Sequence, residues 1–201
     1  MKNLFTNIVL LVALSIAFST LTACTNTAGT QKGSADNSDV PSSGSNTVVT
    51  KKDDFPPAPT GIIQADIKAL DGATFKLADK KGKVLLVNMW ATWCGPCINE
   101  MPELIKMQDE YRDKGFEVIG LNQDDEDADL IKSFAAKKNL NYQLGWSNSA
   151  LYAEFVKISR LNGIPQTILI NREGQMTGVF AGGGNTVITK MKETVEITVN
   201  Q

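Results

Sequence analysis

An apolar run that leads directly into a pair of cysteines constrains this sequence more than any other feature. Residues 84–89 are apolar at almost every position, which is the pattern of a strand buried on both faces. Residues 98–114 then carry apolar side chains at spacings of three and four, and this predicts an amphipathic helix. Cys94 and Cys97 therefore lie where a strand gives way to a helix, on one face of its first turn. Two thiols in that position can form a disulfide with each other.

The composition excludes several classes of protein. The chain has 201 residues, three cysteines, no histidine and a formal net charge of −2. Without histidine there is no histidine-based triad, histidine metal site or covalently attached c-type haem. The nearly balanced charge and the lack of a basic block argue against a nucleic-acid partner. The first sixty or so residues look unlike the rest, which leaves about 140 for one globular core.

The beginning of the chain resembles a bacterial lipoprotein signal peptide, predicted over residues 1–23. Lys2 is followed by an apolar run at residues 8–18, which is shorter than the roughly 20 residues of a membrane span. Residues 21–24, Leu-Thr-Ala-Cys, resemble a lipobox, so Cys24 is expected to carry the lipid anchor rather than to act as a redox thiol. An uncleaved transmembrane anchor, or a chance cysteine after a plain signal peptide, remains the alternative. The expected location is the bacterial cell envelope, anchored to a membrane and facing the periplasm or exterior.

The segment that follows is predicted to be a flexible tether over residues 24–60. It consists mainly of Ser, Thr, Gly, Asn and Asp with scattered Lys, and it ends in a proline-rich stretch. Such a composition cannot bury enough apolar surface to offset the entropy of ordering the chain. The globular domain is accordingly predicted over residues 61–201.

Hydrophobic periodicity and turn signals assign elements to the rest of that domain. Asp71-Gly72 lies between β-like runs at 62–67 and 74–77, and so predicts a hairpin. A strand at 116–121 completes a strand–helix–strand unit with a parallel pair. The remaining pattern predicts strands near 141–144, 164–170 and 176–180, and helices at 150–158 and 187–195, although 194–199 also alternates like a strand.

One acidic cluster, residues 124–129, invites comparison with a calcium-binding loop. An EF-hand loop counted from Asp125 would need glycine and glutamate at the positions of Leu130 and Ala136. We therefore predict that the acidic residues cap the helix that follows, with Leu130, Ile131 and Phe134 facing the core.

Three motifs resemble the TlpA/ResA-type membrane-tethered thiol-disulfide oxidoreductases, which have a thioredoxin fold. They are Trp93-Cys94-Gly95-Pro96-Cys97 after the apolar strand, Pro102 five residues later, and Gly163-Ile164-Pro165 before a later strand. The resemblance covers residues 61 to about 199. It implies an α/β, thioredoxin-like fold, with a mixed central sheet flanked by helices and an added N-terminal hairpin. A zinc ribbon would need two further ligands that the domain lacks, so no metal site is expected.

Helix electrostatics assign roles to the two cysteines. The positive end of a helix lowers the pKa of a thiol at its start, and the thiolate is the form that attacks a disulfide. Cys94 comes first and is expected to be the nucleophile, whereas Cys97 is expected to resolve the mixed disulfide. The resemblance implies further that Pro165 is cis and that Ile164 presents its backbone to an extended peptide. Trp93 is assigned to the same substrate-binding surface.

Two polar residues near the cysteines have contrasting implications. Asn88 stands six residues before Cys94, where cytoplasmic thioredoxins have a buried aspartate that handles protons. Glu100 matches a glutamate of the tethered family and is predicted to tune or relay protons for Cys97. The alternative is an ordinary solvated glutamate on an exposed helix face.

The resemblance implies an exported, lipid-anchored reductase of disulfides in envelope client proteins, among them apocytochrome c. A membrane thiol-relay protein would donate electrons, and the Cys94–Cys97 disulfide would be the only redox group, without a bound cofactor. A peroxiredoxin-type peroxidase needs Pro and Thr seven and three residues before its cysteine, where this chain has Val87 and Ala91. A lipid-anchored binding module without catalytic activity is the other alternative.

Overall fold

The computed structural model describes residues 55–201. The predicted signal peptide (1–23), the anchor residue Cys24 and the tether up to residue 54 lie outside the described residues. Within the described part of the chain, no helix has the length and apolar character needed to cross a membrane.

The described residues form seven strands and five α-helices, with one short 3₁₀ segment before β3 and another after α2. The strands are β1 (Ile67–Ala69), β2 (Thr74–Phe75), β3 (Val84–Trp90), β4 (Phe116–Asn122), β5 (Gln143–Trp146), β6 (Gln166–Ile170) and β7 (Met176–Ala181). The helices are α1 (Thr60–Ile63), α2 (Gly95–Tyr111), α3 (Ala128–Lys138), α4 (Ser149–Ser159) and α5 (Asn185–Val199).

All seven strands belong to one mixed sheet in the order β2-β1-β5-β4-β3-β6-β7. β3, β4 and β5 run parallel, while β6 pairs antiparallel with β3 and with β7. β1 pairs antiparallel with β5 and with β2. The β1–β2 hairpin, which turns at Asp71-Gly72, therefore forms one edge of the sheet. The α/β architecture with a mixed central sheet is the one predicted.

β3 lies at the centre of two hydrophobic layers because its side chains alternate between the two faces of the sheet. Leu85, Val87 and Met89 pack with the cluster that includes α1 and α4. Val84 and Leu86 pack on the other face, in the cluster that α2 and α5 cover. Every residue of β3 is buried, as expected for a strand with helices on both faces. β3 is therefore a firmly packed support for the turn that follows Trp90.

The N-terminal boundary of the domain differs from the prediction. Ala58 is buried and its N–H donates to the Gly174 carbonyl at 2.9 Å, and Pro57 forms a bridge with Gln175. The predicted start at residue 61 is therefore too late, because the proline-rich end of the predicted tether (55–60) packs on the sheet. Composition alone did not reveal these contacts, which involve residues more than a hundred positions away.

The strand predicted over 62–67 is also wrong in its first part. Thr60–Ile63 forms the short helix α1, in which the Gln64 N–H donates to the Thr60 carbonyl at 2.9 Å, and only Ile67–Ala69 is strand. Short apolar runs do not distinguish a buried helix from a strand by periodicity.

The structure refines two predictions about the helices α2 and α3. α2 begins at Gly95, so Cys97 lies in its first turn as predicted, and the helix ends at Tyr111, before the predicted end at residue 114. Leu130, predicted to face inward, is 52% exposed, whereas its neighbour Ile131 is fully buried. The end of the chain is helix α5, as favoured over the alternative strand.

Candidate active site

The turn between β3 and α2 places Cys94 immediately before the first residue of the helix. The Cys94 N–H donates to the Ala91 carbonyl at 3.1 Å, and the Ile98 N–H donates to the Cys94 carbonyl at 3.0 Å. Cys94 is the N-cap of α2, and its sulfur accepts a hydrogen bond from the Cys97 N–H at 3.3 Å. The first turn of α2 contains no acidic residue. The Cys94 sulfur therefore lies at the positive end of a 17-residue helix, as predicted.

Cys94 and Cys97 are joined by a disulfide, with a Cα–Cα distance of 5.3 Å. Cys94 is 3% exposed and Cys97 is 1% exposed, so exposure barely distinguishes the two cysteines. The assignment of Cys94 as nucleophile consequently depends on its place at the helix terminus. The neighbours Trp93, Gly95 and Pro96 are exposed, and a partner protein would reach the sulfurs across them.

The segment before β6 lies beside the cysteines. The Ile164–Pro165 peptide bond is cis, as expected, and Pro165 is buried immediately before β6. Ile164 packs against the cluster that contains Cys94 and Cys97. The fold thus brings together the cysteine pair and the segment assigned to peptide binding, although they are about 70 residues apart in the chain.

Gln166 holds the segment before β6 in place, a role that its sequence context does not indicate. Its side-chain carbonyl accepts from the Ser159 hydroxyl at 2.6 Å, and its amide donates to the Gly163 carbonyl at 2.5 Å. Because Gln166 is fully buried, these bonds tie the loop from 159 to 163 to the first residue of β6. No local pattern marks a glutamine for this role.

A glycine-rich loop after β7 approaches the same site. The Gly182 N–H donates to the Pro165 carbonyl at 2.9 Å. A Cβ at Gly183 would lie 2.8 Å from the Pro96 Cβ, so only glycine permits this approach. The loop therefore contacts both the cysteine motif and the cis-proline segment.

Glu100 is buried one turn below Cys97 on α2, with 1% of its surface exposed. The alternative of a solvated surface glutamate is therefore wrong. Its Oε1 accepts from the Asn88 amide at 2.7 Å, and the same amide nitrogen donates to the Thr167 hydroxyl at 2.9 Å. Its Oε2 accepts no hydrogen bond from the described residues. Burial raises the pKa of Glu100 from 4.5 to about 7, although the bond from Asn88 opposes this rise.

Strand register accounts for the surroundings of Asn88, the hydrogen-bond partner of Glu100. Asn88 lies between Thr167 on β6 and Gly120 on β4. A Cβ at Gly120 would lie 2.8 Å from Leu144 Cδ2 and 3.1 Å from Trp90 Nε1, so this position admits no side chain. Asn88 and Thr167 are thus the polar groups that the sheet offers to Glu100.

The acidic cluster has a second role besides the predicted cap. Asp127 caps α3 as predicted, since its carboxylate accepts from the Asp129 N–H at 2.8 Å and the Leu130 N–H at 3.4 Å. In addition, Asp124 accepts from the Trp93 indole N–H at 2.6 Å, and Glu126 accepts from the Thr92 hydroxyl. Sequence reasoning missed these two contacts, because they join segments about 30 residues apart and no local pattern encodes them.

Metal binding has no structural candidate in the described chain. Among residues 55–201, no group of three or more His, Cys, Asp or Glu side chains could hold a metal ion.

Comparisons with known proteins relate this geometry to a family. The Redoxin family model matches residues 50–195. The chain is 32% identical over 113 residues to thiol-disulfide oxidoreductase ResA of Bacillus thuringiensis subsp. konkukian, a match that covers 56% of this chain and 63% of that protein. It is 31% identical over 118 residues to the thioredoxin-like protein YneN of Bacillus subtilis, covering 58% of this chain and 66% of YneN. The chain thus spans less than two thirds of the length of these relatives.

A solved structure supports the same relationship. The thiol:disulfide interchange protein of Chlorobium tepidum, described as a thioredoxin family protein, superposes with a TM-score of 0.61 at 25% identity. The match covers 74% of this chain and 99% of that protein. These likenesses confirm the predicted thioredoxin-like fold and the predicted resemblance to TlpA/ResA-type proteins.

Glu100→Gln should change how stability depends on pH. The folded protein keeps a proton on Glu100 up to a pKa of about 7, whereas the unfolded chain releases it near 4.5. Rising pH across this window therefore lowers the free energy of unfolding of the parent protein, by on the order of 3 kcal/mol in total. The glutamine variant lacks this loss. Urea unfolding of the oxidised proteins between pH 4 and pH 8 measures the difference.

Glu103→Gln is the matched control on the same helix. Hydrogen bonds from Lys106 and Lys192 lower the pKa of Glu103, so its contribution is present above pH 4.5 and is lost as the pH falls. As the pH rises, the free energy of unfolding of Glu103→Gln should fall relative to that of the parent, which is the opposite of the trend expected for Glu100→Gln. If the free energy of unfolding depends on pH in the same way for the parent protein and Glu100→Gln, then Glu100 is not a buried carboxyl that keeps its proton up to neutral pH.

Proposed function

Because this chain belongs to the Redoxin family, we propose that it is a thiol-disulfide oxidoreductase that reduces disulfides of client proteins in the bacterial envelope. One observation carries the proposal: the Cys94–Cys97 disulfide lies at the start of α2, one turn above a buried carboxyl with a pKa near neutrality. The relatives named as thiol-disulfide oxidoreductases support the same class of reaction.

The first step is attack by Cys94 in the reduced protein. Its thiolate, favoured by the positive end of α2, forms a bond to one sulfur of a client disulfide. The client's other sulfur leaves as a thiolate and takes up a proton from water. The client is then held to Cys94 by a mixed disulfide, with its chain beside Ile164 and Pro165 and in contact with Trp93.

The second step is resolution by Cys97. Its thiol loses a proton and attacks the Cys94 sulfur, which closes the Cys94–Cys97 disulfide and releases the client as a dithiol. Two electrons thereby pass from the protein to the client. Glu100 is the proposed acceptor of the Cys97 proton, because it lies one turn away on the same helix and can hold or release a proton near pH 7.

Reduction is the proposed direction of this exchange. Gly95-Pro96 is the pair found between the cysteines of thioredoxin, whose potential of about −270 mV is at the reducing end of the scale. A reductant in an oxidising compartment needs a supply of electrons, and a membrane thiol-relay protein is the proposed donor. Apocytochrome c cysteines awaiting haem are the proposed clients. The chemistry uses only the two cysteines and requires no bound cofactor.

Export and anchoring complete the proposal. Residues 1–23 are proposed to be cleaved as a signal peptide, and Cys24 is proposed to carry the lipid. The tether would then allow the domain to stand off the membrane surface while it meets its partners. The support for this part is the sequence pattern at residues 8–24.

Substitution of each active-site cysteine should separate the two steps. We expect Cys94→Ala to abolish reduction of insulin disulfides by dithiothreitol-reduced protein. Cys97→Ala should keep the attacking thiol and accumulate mixed disulfides with clients, visible as thiol-sensitive bands on non-reducing gels. Cys24→Ser should retain full insulin activity as the matched control. Parent protein that never reduces insulin, but consumes peroxide or shows no thiol chemistry, would overturn the proposal.

Glu100→Gln should alter the titration of the reduced cysteines. Removal of a nearby carboxylate favours the thiolates, so the cysteine pKa values should fall, and the inflection near pH 7 in the rate of insulin reduction should disappear. Loss of the proton acceptor should also slow turnover at pH 7 by about tenfold or more. Thiolate absorbance and stopped-flow exchange measure both quantities, with Glu103→Gln as control. An unchanged thiol titration would remove Glu100 from the mechanism.

Cys24→Ser should release the exported protein from the membrane. The parent protein should partition into the detergent phase and incorporate a radiolabelled fatty acid, whereas the serine variant should be aqueous and unlabelled. Cys94→Ser, which exchanges a cysteine elsewhere, should partition like the parent. A Cys24→Ser variant that stays fully in the membrane fraction would indicate an uncleaved transmembrane anchor instead.

A further inference from the structure

Glu126, in the loop between β4 and α3, is bonded to three other segments of the fold. Its carboxylate accepts from the Thr92 hydroxyl, from the Thr92 N–H at 3.4 Å and from the Asn122 side-chain amide. Its backbone carbonyl accepts from the Trp146 indole N–H at 3.0 Å. The loop is therefore attached at once to the active-site turn, to the end of β4 and to the end of β5.

The same loop contacts the residue between Thr92 and Cys94. Asp124 accepts from the Trp93 indole N–H at 2.6 Å, and its own N–H donates to the Asn122 side-chain carbonyl at 2.9 Å. Asn122 is held in register opposite Trp90 on the central strand. Both residues that precede the nucleophilic cysteine are thus bonded to carboxylates whose positions are fixed by β4.

We propose that Glu126 is a positioning residue that acts on Cys94 through Thr92. It holds the turn that carries the nucleophile, and its negative charge opposes the stabilisation of the Cys94 thiolate by α2. This inference rests on the proposed function, since it concerns the acidity of the attacking thiol.

Distance makes the electrostatic effect significant. Two residues span at most about 7 Å of chain, so the carboxylate bonded to Thr92 is held next to the turn that carries Cys94. Thr92 is only partly buried, so the interaction is weakened by solvent but not abolished. A negative charge at this range raises the pKa of a thiol.

Three carboxyl groups lie on the elements around the turn, and two lysines, Lys68 and Lys138, lie over the rings of Trp146 and Phe134, which pack against the cysteine cluster. α2 contributes the buried Glu100, and the β4–α3 loop contributes Asp124 and Glu126. The cis-proline segment 163–165 and the glycine loop 182–184 carry no ionisable side chain. The first turn of α2 also contains no acidic or basic residue that would offset these carboxylates. The helix dipole is therefore the main influence that favours the thiolate, and Glu126 opposes it from the solvent side.

A carboxylate that destabilises the Cys94 thiolate is suited to a protein that reduces its clients. A dithiol whose thiolate is strongly stabilised holds its electrons and makes the disulfide form oxidising, as in DsbA. A carboxylate that destabilises the thiolate has the reverse effect and favours transfer of electrons to a client. Glu126 would thus contribute to the direction of exchange as well as to the geometry of the turn.

The test is the pH profile of Cys94 alkylation by iodoacetamide in the reduced full-length protein at low salt, with the modified cysteine identified by mass spectrometry. Glu126→Gln should alkylate about threefold faster than the parent at pH 7, because its thiol pKa is lower. Thr92→Val removes the hydroxyl donor but keeps the carboxylate, so it should not be faster than the parent. Asp129→Asn removes an equal charge at an exposed position on α3 and should match the parent.

The outcomes are distinct. Equal rates for the parent protein and Glu126→Gln, or a similar acceleration in Thr92→Val or Asp129→Asn, would overturn the proposal, because loosening of the turn or net charge would then explain the effect. Raising the salt to 1 M should reduce the acceleration in Glu126→Gln, and an acceleration that salt leaves unchanged would also contradict it. Alkylation needs no client, so absence of insulin reduction would defeat the proposed function without affecting this result.

Discussion

The hydrogen bond between Asn88 and Glu100 joins the central strand to the helix that carries the cysteines, and the chemistry of the site depends on it. A carboxyl buried to 1% exposure needs a polar partner, and Asn88 is the group in the sheet that reaches it, at 2.7 Å. The amide is itself oriented by its bond to Thr167 on β6. Strand pairing therefore positions the polar partner of Glu100, while the turn of α2 between residues 97 and 100 sets the distance of Glu100 from Cys97.

Asparagine at position 88 is compatible with Glu100 in a way that aspartate is not. Two carboxyl groups at a separation of 2.7 Å could not both ionise, and they would have to share a proton. Cytoplasmic thioredoxins have their buried acid on the strand, whereas this chain has it on the helix, one turn from Cys97. The neutral amide leaves Glu100 as the carboxyl of this pocket, and its pKa reflects burial and the hydrogen bond from Asn88. Asn88 itself cannot titrate, and Glu100 occupies the neighbouring space.

Local patterns predicted most of the fold and the centre of the site. The continuous apolar run of β3, the spacing of apolar residues along α2 and the cysteine positions are strong, short-range signals, and they defined the strand–helix junction correctly. The resemblance to a known family added the cis-proline segment. Two contacts that the sequence did not reveal are long-range, namely Ala58 on the loop before β7 and Glu126 on Thr92. Both depend on which loops the sheet order brings together, and no periodicity carries that information. The bond from Gln166 to residue 163 is local, but no sequence pattern marks it either.

The loops at the carboxyl end of β3 behave as one unit for the same reason. Thr92 and Trp93 are held by the β4–α3 loop, and Pro96 is contacted by the Gly182–Gly184 loop. Pro165, immediately before the strand that pairs with β3 on its other side, accepts from the Gly182 N–H through its carbonyl. A disulfide with both residues nearly buried can exchange only if a client reaches it from the exposed edge formed by Trp93 and Pro96. Three loops therefore define that edge, and the carboxylates of Asp124 and Glu126 on one of them are bonded to the two residues that precede Cys94.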